Sequence, residues 1–266
     1  MGTPKAALEW HGSTLLRRTV GILARATGGP VVVVKARGQD LPDLPPGTEV
    51  VEDPREDMGP VQGIAAGLAA LAGKADAAFV SSTDMPFLHP AFVRRVLRAL
   101  CEEEADVALP VARGHQQPLA AAYRTSLAET AERLVKENGL RPAFLFAECV
   151  VTRLDEALLR QDPVLAALDP ELDSVLNVNE PADYRAARAR PAPQVTVELS
   201  ETLIGSQPRG PRTVRAATVR AAAEDAGLTF GQHIAAALNE ANGDQVTSDG
   251  ATPLVTGDAI LFGPAP

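Results

Sequence analysis

Apolar positions recur along this chain in two rhythms, one helical and one of short solid runs. Residues 14–26 set Leu15, Leu16, Ile22 and Leu23 along one side of a predicted helix. Val31 to Val34 is an unbroken β-branched run, as expected of a strand covered on both faces. Glu49-Val50-Val51-Glu52 predicts a short strand and the Ala- and Leu-rich 60–72 a helix. Ala77 to Val80 repeats the buried-strand pattern, followed by a loop and a helix near 90–104. Further strands are predicted at Asp106 to Pro110, Pro118 to Tyr123, 149–153 and Ser174 to Val178. Helices are predicted at 125–137, 141–148, 155–167 and Ala182 to Ala189. Strands alternating with helices indicate βαβ units, hence an α/β, doubly wound, mostly parallel, Rossmann-like sheet.

The texture changes at Arg190-Pro191-Ala192-Pro193, a proline-rich break that divides the chain into 1–190 and 194–266. Beyond it, Val195 to Leu199 alternates like a half-exposed strand. A helix at 218–226, a strand at Ile234 to Leu238, and a Thr256-Gly257-Asp258 turn before Ala259 to Phe262 complete the segment. The expectation is a small α+β domain of β-grasp type, near the lower size for an independent core.

Composition narrows the function classes. The 266 residues are 45% hydrophobic and 22% charged, which fits a folded chain rather than a disordered one. A net charge of −9 without a basic run argues against nucleic-acid binding, and 4% aromatic content offers no stacking platform. Cys101 and Cys149 are far apart and form no C-x-x-C pair, so neither a disulfide framework nor a zinc knuckle is legible. His11, His89, His115 and His233 lack metal-ligand spacing. No apolar stretch is long enough to span a membrane and no signal peptide is visible, so a cytoplasmic protein is expected.

Four groups of residues carry candidate chemistry. Asp84-Met85-Pro86 follows the Ala77 to Val80 strand, where open α/β sheets bind ligands. A carboxylate there suits Mg²⁺, which takes one or two carboxylates plus phosphate oxygens; equally, Asp84 caps a turn before a proline. Gly59-Pro60-Val61-Gln62-Gly63-Ile64 reads as a loop entering a helix, with Gly59 and Gly63 admitting a close ligand or a close helix–sheet contact. Asp53 lies just past a short strand and either accepts from a nucleobase or ribose or forms a turn beside Pro54. Asn177-Val178-Asn179 places two amides on one face of a strand end, and Asp183 reads as a helix cap.

Taken in order, these pieces resemble the molybdenum cofactor guanylyltransferases. The match uses Met1-Gly2-x-x-Lys5, Glu52-Asp53, Gly59 to Ile64, Asp84-Met85-Pro86, Gln117-Pro118-Leu119, and Asn177-Val178-Asn179-x-Pro181-x-Asp183, over roughly 1–190. The resemblance implies a Mg²⁺-dependent transfer of GMP from GTP to the phosphate of the molybdenum-pterin cofactor. It implies that Lys5, Asp53, Gly63 and Asp84 contact the nucleotide, that Asp84 also binds the metal, and that Asn177 and Asn179 face the pterin. It further implies partnership with other proteins of molybdenum cofactor biosynthesis. In that family a strand and a Leu-Ala-Gly-Gly loop precede the Met-Gly-x-x-Lys signature. A catalytically impaired scaffold that binds pterin and carrier, and a cytidylyltransferase of the same superfamily, are the alternatives.

The segment from 194 resembles the small sulfur-carrier proteins, such as the small subunit of molybdopterin synthase, through Ala237-Leu238-Asn239, Asp249-Gly250-x-Thr252-Pro253-Leu254 and Thr256-Gly257-Asp258-x-Ile260. Those carriers end in Gly-Gly, whereas this sequence reads Phe262-Gly263-Pro264-Ala265-Pro266. In a sheet ordered 3-2-1-4 the strand before the signature is central. Without it, Val31 to Val34 and Ala77 to Val80 either pair directly or flank a slot. The slot is expected, about two strand widths or ~9–10 Å across, because neighbouring helices hold the spacing.

Overall fold

A computed structural model describes residues 4–53, 59–204, 210–231, 233–239 and 245–265. A 3-10 turn over Lys5–Ala7 leads into a hairpin of β1 (Glu9–Trp10) and β2 (Ser13–Thr14). Helix α1 (Leu15–Thr27) starts where Thr14 Oγ accepts from the Arg17 amide at 3.2 Å and stops at Gly28, whose φ of 64° ends the helix without a Cβ clash. Strands β3 (Val32–Lys35) and β4 (Glu49–Glu52) pair in parallel and form a sheet of their own. Helix α2 (Gly59–Leu71) connects to β5 (Ala77–Ser81), and α3 (Pro90–Glu102) to β6 (Val107–Ala112). Then follow β7 (His115–Gln116), β8 (Ala120–Arg124), α4 (Ala128–Lys136), α5 (Pro142–Phe146), β9 (Val151–Asp155), α6 (Glu156–Arg160), α7 (Pro163–Leu168) and α8 (Pro181–Arg188).

The α/β expectation holds, and the main sheet is mixed. β8 lies antiparallel between β5 and β6, while β6 pairs β9 in parallel. Alternation assigns the two faces. Phe79, Ala108 and Ala122 enter a core with Ile22 of α1 and Phe92 and Val96 of α3. Ala78, Val107, Leu109 and Tyr123 enter another with Ile64 and Leu68 of α2 and Leu134 of α4. Helices therefore cover both faces, and the strands consist of nearly unbroken apolar runs.

β3 and β5 do not pair. Between them lies a slot, walled by Val31 to Val34 on one side and Ala78 to Ser81 on the other. α1 closes it through Leu16, Val20 and Leu23, and α2 through Gly63, Ile64, Gly67 and Leu68. The slot holds a cavity of about 280 Å³, and a further 380 Å³ opens between Val31, Val32, Ala77 and Leu97. Ala6 packs with Leu16, Val20 and Val33 at its edge.

Ser174 to Val178 is a correction: it is no strand. Asp169 accepts from the Asp173 and Ser174 amides at 2.7 and 3.0 Å, which winds Asp173–Val175 into a 3-10 turn. Local side-chain bonds to the backbone outcompete a ladder here. The single bond from the Val178 amide to Asp84 O, at 2.9 Å, is what remains of sheet-like contact.

The second sheet comprises β10 (Gln194–Leu199), β11 (Arg212–Arg215), β12 (Ile234–Leu238), β13 (Gln245–Thr247) and β14 (Ala259–Pro264), in the order β11-β10-β14-β12-β13 with β10 and β14 parallel. A short α9 (Glu201–Ile204) and α10 (Val219–Asp225) accompany it. Val219, Ala222 and Ala223 of α10 pack on Val195, Val197, Ile260 and Phe262. The loop before β14 leaves this core, and its Val255 is buried with Ile22 and Phe92 in a core of the first sheet. Gly21 makes that approach possible, since a Cβ there would lie 2.6 Å from Pro253 Cδ.

Candidate functional site

Strand β5 ends at Ser81, and the chain then bends through Ser82-Thr83-Asp84 before Pro86. This places the Asp84 carboxylate beyond the strand's carboxyl end. Ser82 Oγ donates to its Oδ1 at 2.6 Å. Lys5 Nζ donates to its Oδ2 at 3.0 Å and to Asn179 Oδ1 at 3.0 Å. Asn179 follows Val178, whose amide holds Asp84 O. Three segments distant in sequence thus converge on one ammonium group. The cluster is accessible: the Lys5 side chain is 36% exposed and that of Asp84 16%.

Asn177 lies two residues before Asn179 in the chain. Its Oδ1 is buried and finds no hydrogen-bond partner among the described residues. A buried acceptor of this kind is costly to leave unpaired. Asp183 acts as the cap expected of it, with Oδ2 accepting from the Glu180 amide at 3.0 Å. Gln117 is buried and donates to Ala112 O at 3.2 Å, which fixes the β6–β8 hairpin.

Gly63 lines the slot together with Ser82 and Thr83, whereas Asp53 lies beyond β3. Gly63 lies within the helical span Gly59–Leu71, so it is a helical residue rather than part of an entering loop. Nothing lies within 4 Å of a Cβ built on Gly63, so helix–sheet packing does not require the glycine; it faces the slot. Asp53 follows β4, on the far side of the slot from β5, and its amide donates to Lys35 O at 2.7 Å. Met1, Gly2 and Thr3 lie outside the described residues.

Sequence reasoning missed Ser82 and two arginines of α1. Arg18 and Arg25 sit among the apolar positions of the helix yet are only 6% and 5% exposed. Arg25 makes a two-pronged pair with Asp258, at 2.9 and 2.7 Å. The available signal was their seven-residue spacing, which puts both on the buried side of α1.

Comparison with known proteins now places the chain. A model of the MobA-like NTP transferase domain matches residues 1–154, more than half of the sequence. The chain belongs to this family. The "probable molybdenum cofactor guanylyltransferase" of Mycobacterium avium is 34% identical over 194 residues, covering 71% of this chain and 90% of that protein. One of the same name from Mycobacterium tuberculosis is 38% identical over 138 residues, 51% of this chain and 67% of its own length. Molybdopterin-guanine dinucleotide biosynthesis protein A from Archaeoglobus fulgidus superposes with a TM-score of 0.54 at 22% identity, over 70% of this chain and 90% of that one. A 2-C-methyl-D-erythritol 4-phosphate cytidylyltransferase from Thermus thermophilus does so with a TM-score of 0.50 at 21% identity, over 70% and 92%. These two likenesses show the shared fold alone. The protein is a nucleotidyltransferase, and its Lys5–Asp84 pair lies within the matched residues.

The donor set of this transferase fits a magnesium ion. No group of three or more His, Cys, Asp and Glu side chains converges among the described residues. A single accessible carboxylate beside a hydroxyl and an amide suits an ion that completes its shell with phosphate oxygens and water, not one needing an all-protein cage. No helix among the described residues is long and apolar enough to cross a membrane.

Proposed function

We propose that this transferase moves GMP from GTP to the terminal phosphate of the molybdenum-pterin cofactor. The observation that carries the reading is the convergence of Lys5, Asp84 and Asn179 at the carboxyl end of β5. Both substrates are anionic, so bringing them together is opposed by like-charge repulsion. A phosphate oxygen of the pterin attacks the α-phosphorus of GTP; the bond from that phosphorus to its β-bridging oxygen breaks, and pyrophosphate leaves. No protein nucleophile is needed, because the attacking phosphate is already ionised. Lys5 supplies a positive charge to the phosphates in place of its present contact with Asp84. Magnesium held at Asp84, when bound, supplies charge neutralisation at the phosphate oxygens. Asn177, with its unsatisfied Oδ1, and Asn179 offer amides to the pterin. Asp53 and Gly63 line the nucleotide side. Positioning and electrostatics account for the rate.

Guanine is the base we assign, because Asn177-Val178-Asn179 and Gly59-Pro60 resemble the guanylyl branch of the superfamily. In competition between equal GTP and CTP, the guanylylated pterin should dominate the product. Equal or faster turnover of CTP would overturn the choice of base.

The region from 194 is assigned a β-grasp domain that carries no sulfur. Its Gly263 is paired opposite Ala235 in the β12–β14 ladder, and the Ala265 amide donates to His233 O at 3.0 Å. A stretch tied into the sheet in this way, with Pro264 in it, is unlike the free, flexible Gly-Gly segment that an activating site threads. Incubation with an activating enzyme, ATP and a sulfur donor should leave the mass unchanged. A gain matching a thiocarboxylate would refute this.

A further inference from the structure

Within the chain, the loop before β14 and the Asp84 loop meet on one side chain. Arg18 is buried in the first turn of α1, and its guanidinium reaches in two directions. Nε donates to Pro86 O at 2.7 Å, two residues beyond Asp84. Nη1 and Nη2 donate to Leu254 O at 3.2 and 3.3 Å. A second connection runs in parallel at the other end of the same loop. His89 Nδ1 accepts from the Ala91 amide at 3.1 Å, which leaves Nε2 protonated to donate to Thr256 O at 3.0 Å. The loop from Asp84 to His89 is therefore held at both Pro86 and His89 by carbonyls of the segment 254–256.

We propose that the Pro253–Asp258 segment is a built-in brace for the Asp84 loop, with Arg18 as the positioning residue that transmits it. The inference rests on the assignment of Asp84 to the transfer site. An apolar residue in α1 would fill this place without burying a charge, and a buried guanidinium is costly unless every donor is used. The planar fork reaches Pro86 O from Nε and Leu254 O from both Nη atoms, whereas a lysine would have to reach both carbonyls from a single nitrogen. Asp258, paired with Arg25, supplies the nearby negative charge. Burial and the neighbouring Arg25 bring the Arg18 guanidinium down to about 10, so it stays charged at neutral pH. The brace explains why the turn Thr256-Gly257-Asp258 sits against the first domain: Gly257 has φ of 89° and a Cβ there would lie 2.4 Å from Leu168 Cδ2.

Two amides report the brace directly. Leu88 N–H donates to Met85 O at 3.2 Å and Val178 N–H to Asp84 O at 2.9 Å. In full-length R18M, both should exchange with solvent at least about tenfold faster, while amides of β6 keep their protection. The kcat for guanylyl transfer should fall about tenfold with the KM for GTP within about twofold, as expected of lost positioning rather than lost binding. R18K, which keeps the charge but not the fork, should behave alike, and it carries the test should R18M not fold. Unchanged exchange at Leu88 and Val178 overturns the brace, as does equal acceleration throughout β6. Absence of transfer by the unmodified protein would instead sink the functional reading, and the exchange result would still decide the brace.

Discussion

Asp84→Ala is expected to lower kcat/KM for nucleotidyl transfer on the order of a thousandfold or more. The carboxylate accepts from both Lys5 and Ser82, Lys5 also reaches Asn179, and the group sits at the carboxyl end of a buried strand. On the proposed mechanism, its removal takes away both the ligand for magnesium and the partner of Lys5. Asp84 belongs to none of the apolar cores, so the variant should fold and melt close to the parent. Steady-state kinetics across a magnesium titration checks this. Turnover near that of the parent at saturating magnesium would remove Asp84 from the mechanism.

The slot between β3 and β5 leads to the second large effect. Among the described residues each strand has a partner on one side only, β4 and β8 respectively, and both line the same largely apolar cavity. An unfilled, largely apolar slot leaves the side chains that line it short of packing partners. Unpaired strand edges add to the cost and invite aggregation. An extended apolar strand joined ahead of Met1, followed by a Leu-Ala-Gly-Gly loop, is therefore expected to enter the slot. For a domain of this size the melting temperature should rise on the order of 10 °C, and the protein should become more monodisperse. Calorimetry and light scattering on both forms decide the matter. A chain beginning at Met1 that is monodisperse, melts as cooperatively and as high as the extended form, and binds GTP would show that the slot takes no strand.

The elements most legible in the sequence were those set by burial on both faces. Val31 to Val34 and Ala77 to Val80 leave little freedom, and the structure forms β3 and β5 within a residue of those runs. The slot was legible for the same reason, since α1 and α2 fix the separation whether or not a strand fills it. Ser174 to Val178 misled because apolar alternation says nothing of Asp169, whose carboxylate takes two backbone amides and turns the chain. Asp84 and Lys5 were readable as a pair only through resemblance, and Asn179 met them despite losing its strand. For Arg18 and Arg25 the spacing could place them on the buried face of α1 but not say why, because a charged residue there acquires meaning only when its partner, here beyond residue 250, is known.

The most direct test of the central claim follows the phosphorus atoms of GTP by ³¹P NMR in the presence of the transferase, magnesium and the molybdenum-pterin cofactor. The account expects pyrophosphate and a new pyrophosphate-linked guanosine resonance to appear together in equal amounts, and only when GTP, metal and pterin are all present. Release of pyrophosphate without the pterin, or no release with all three present, would contradict it.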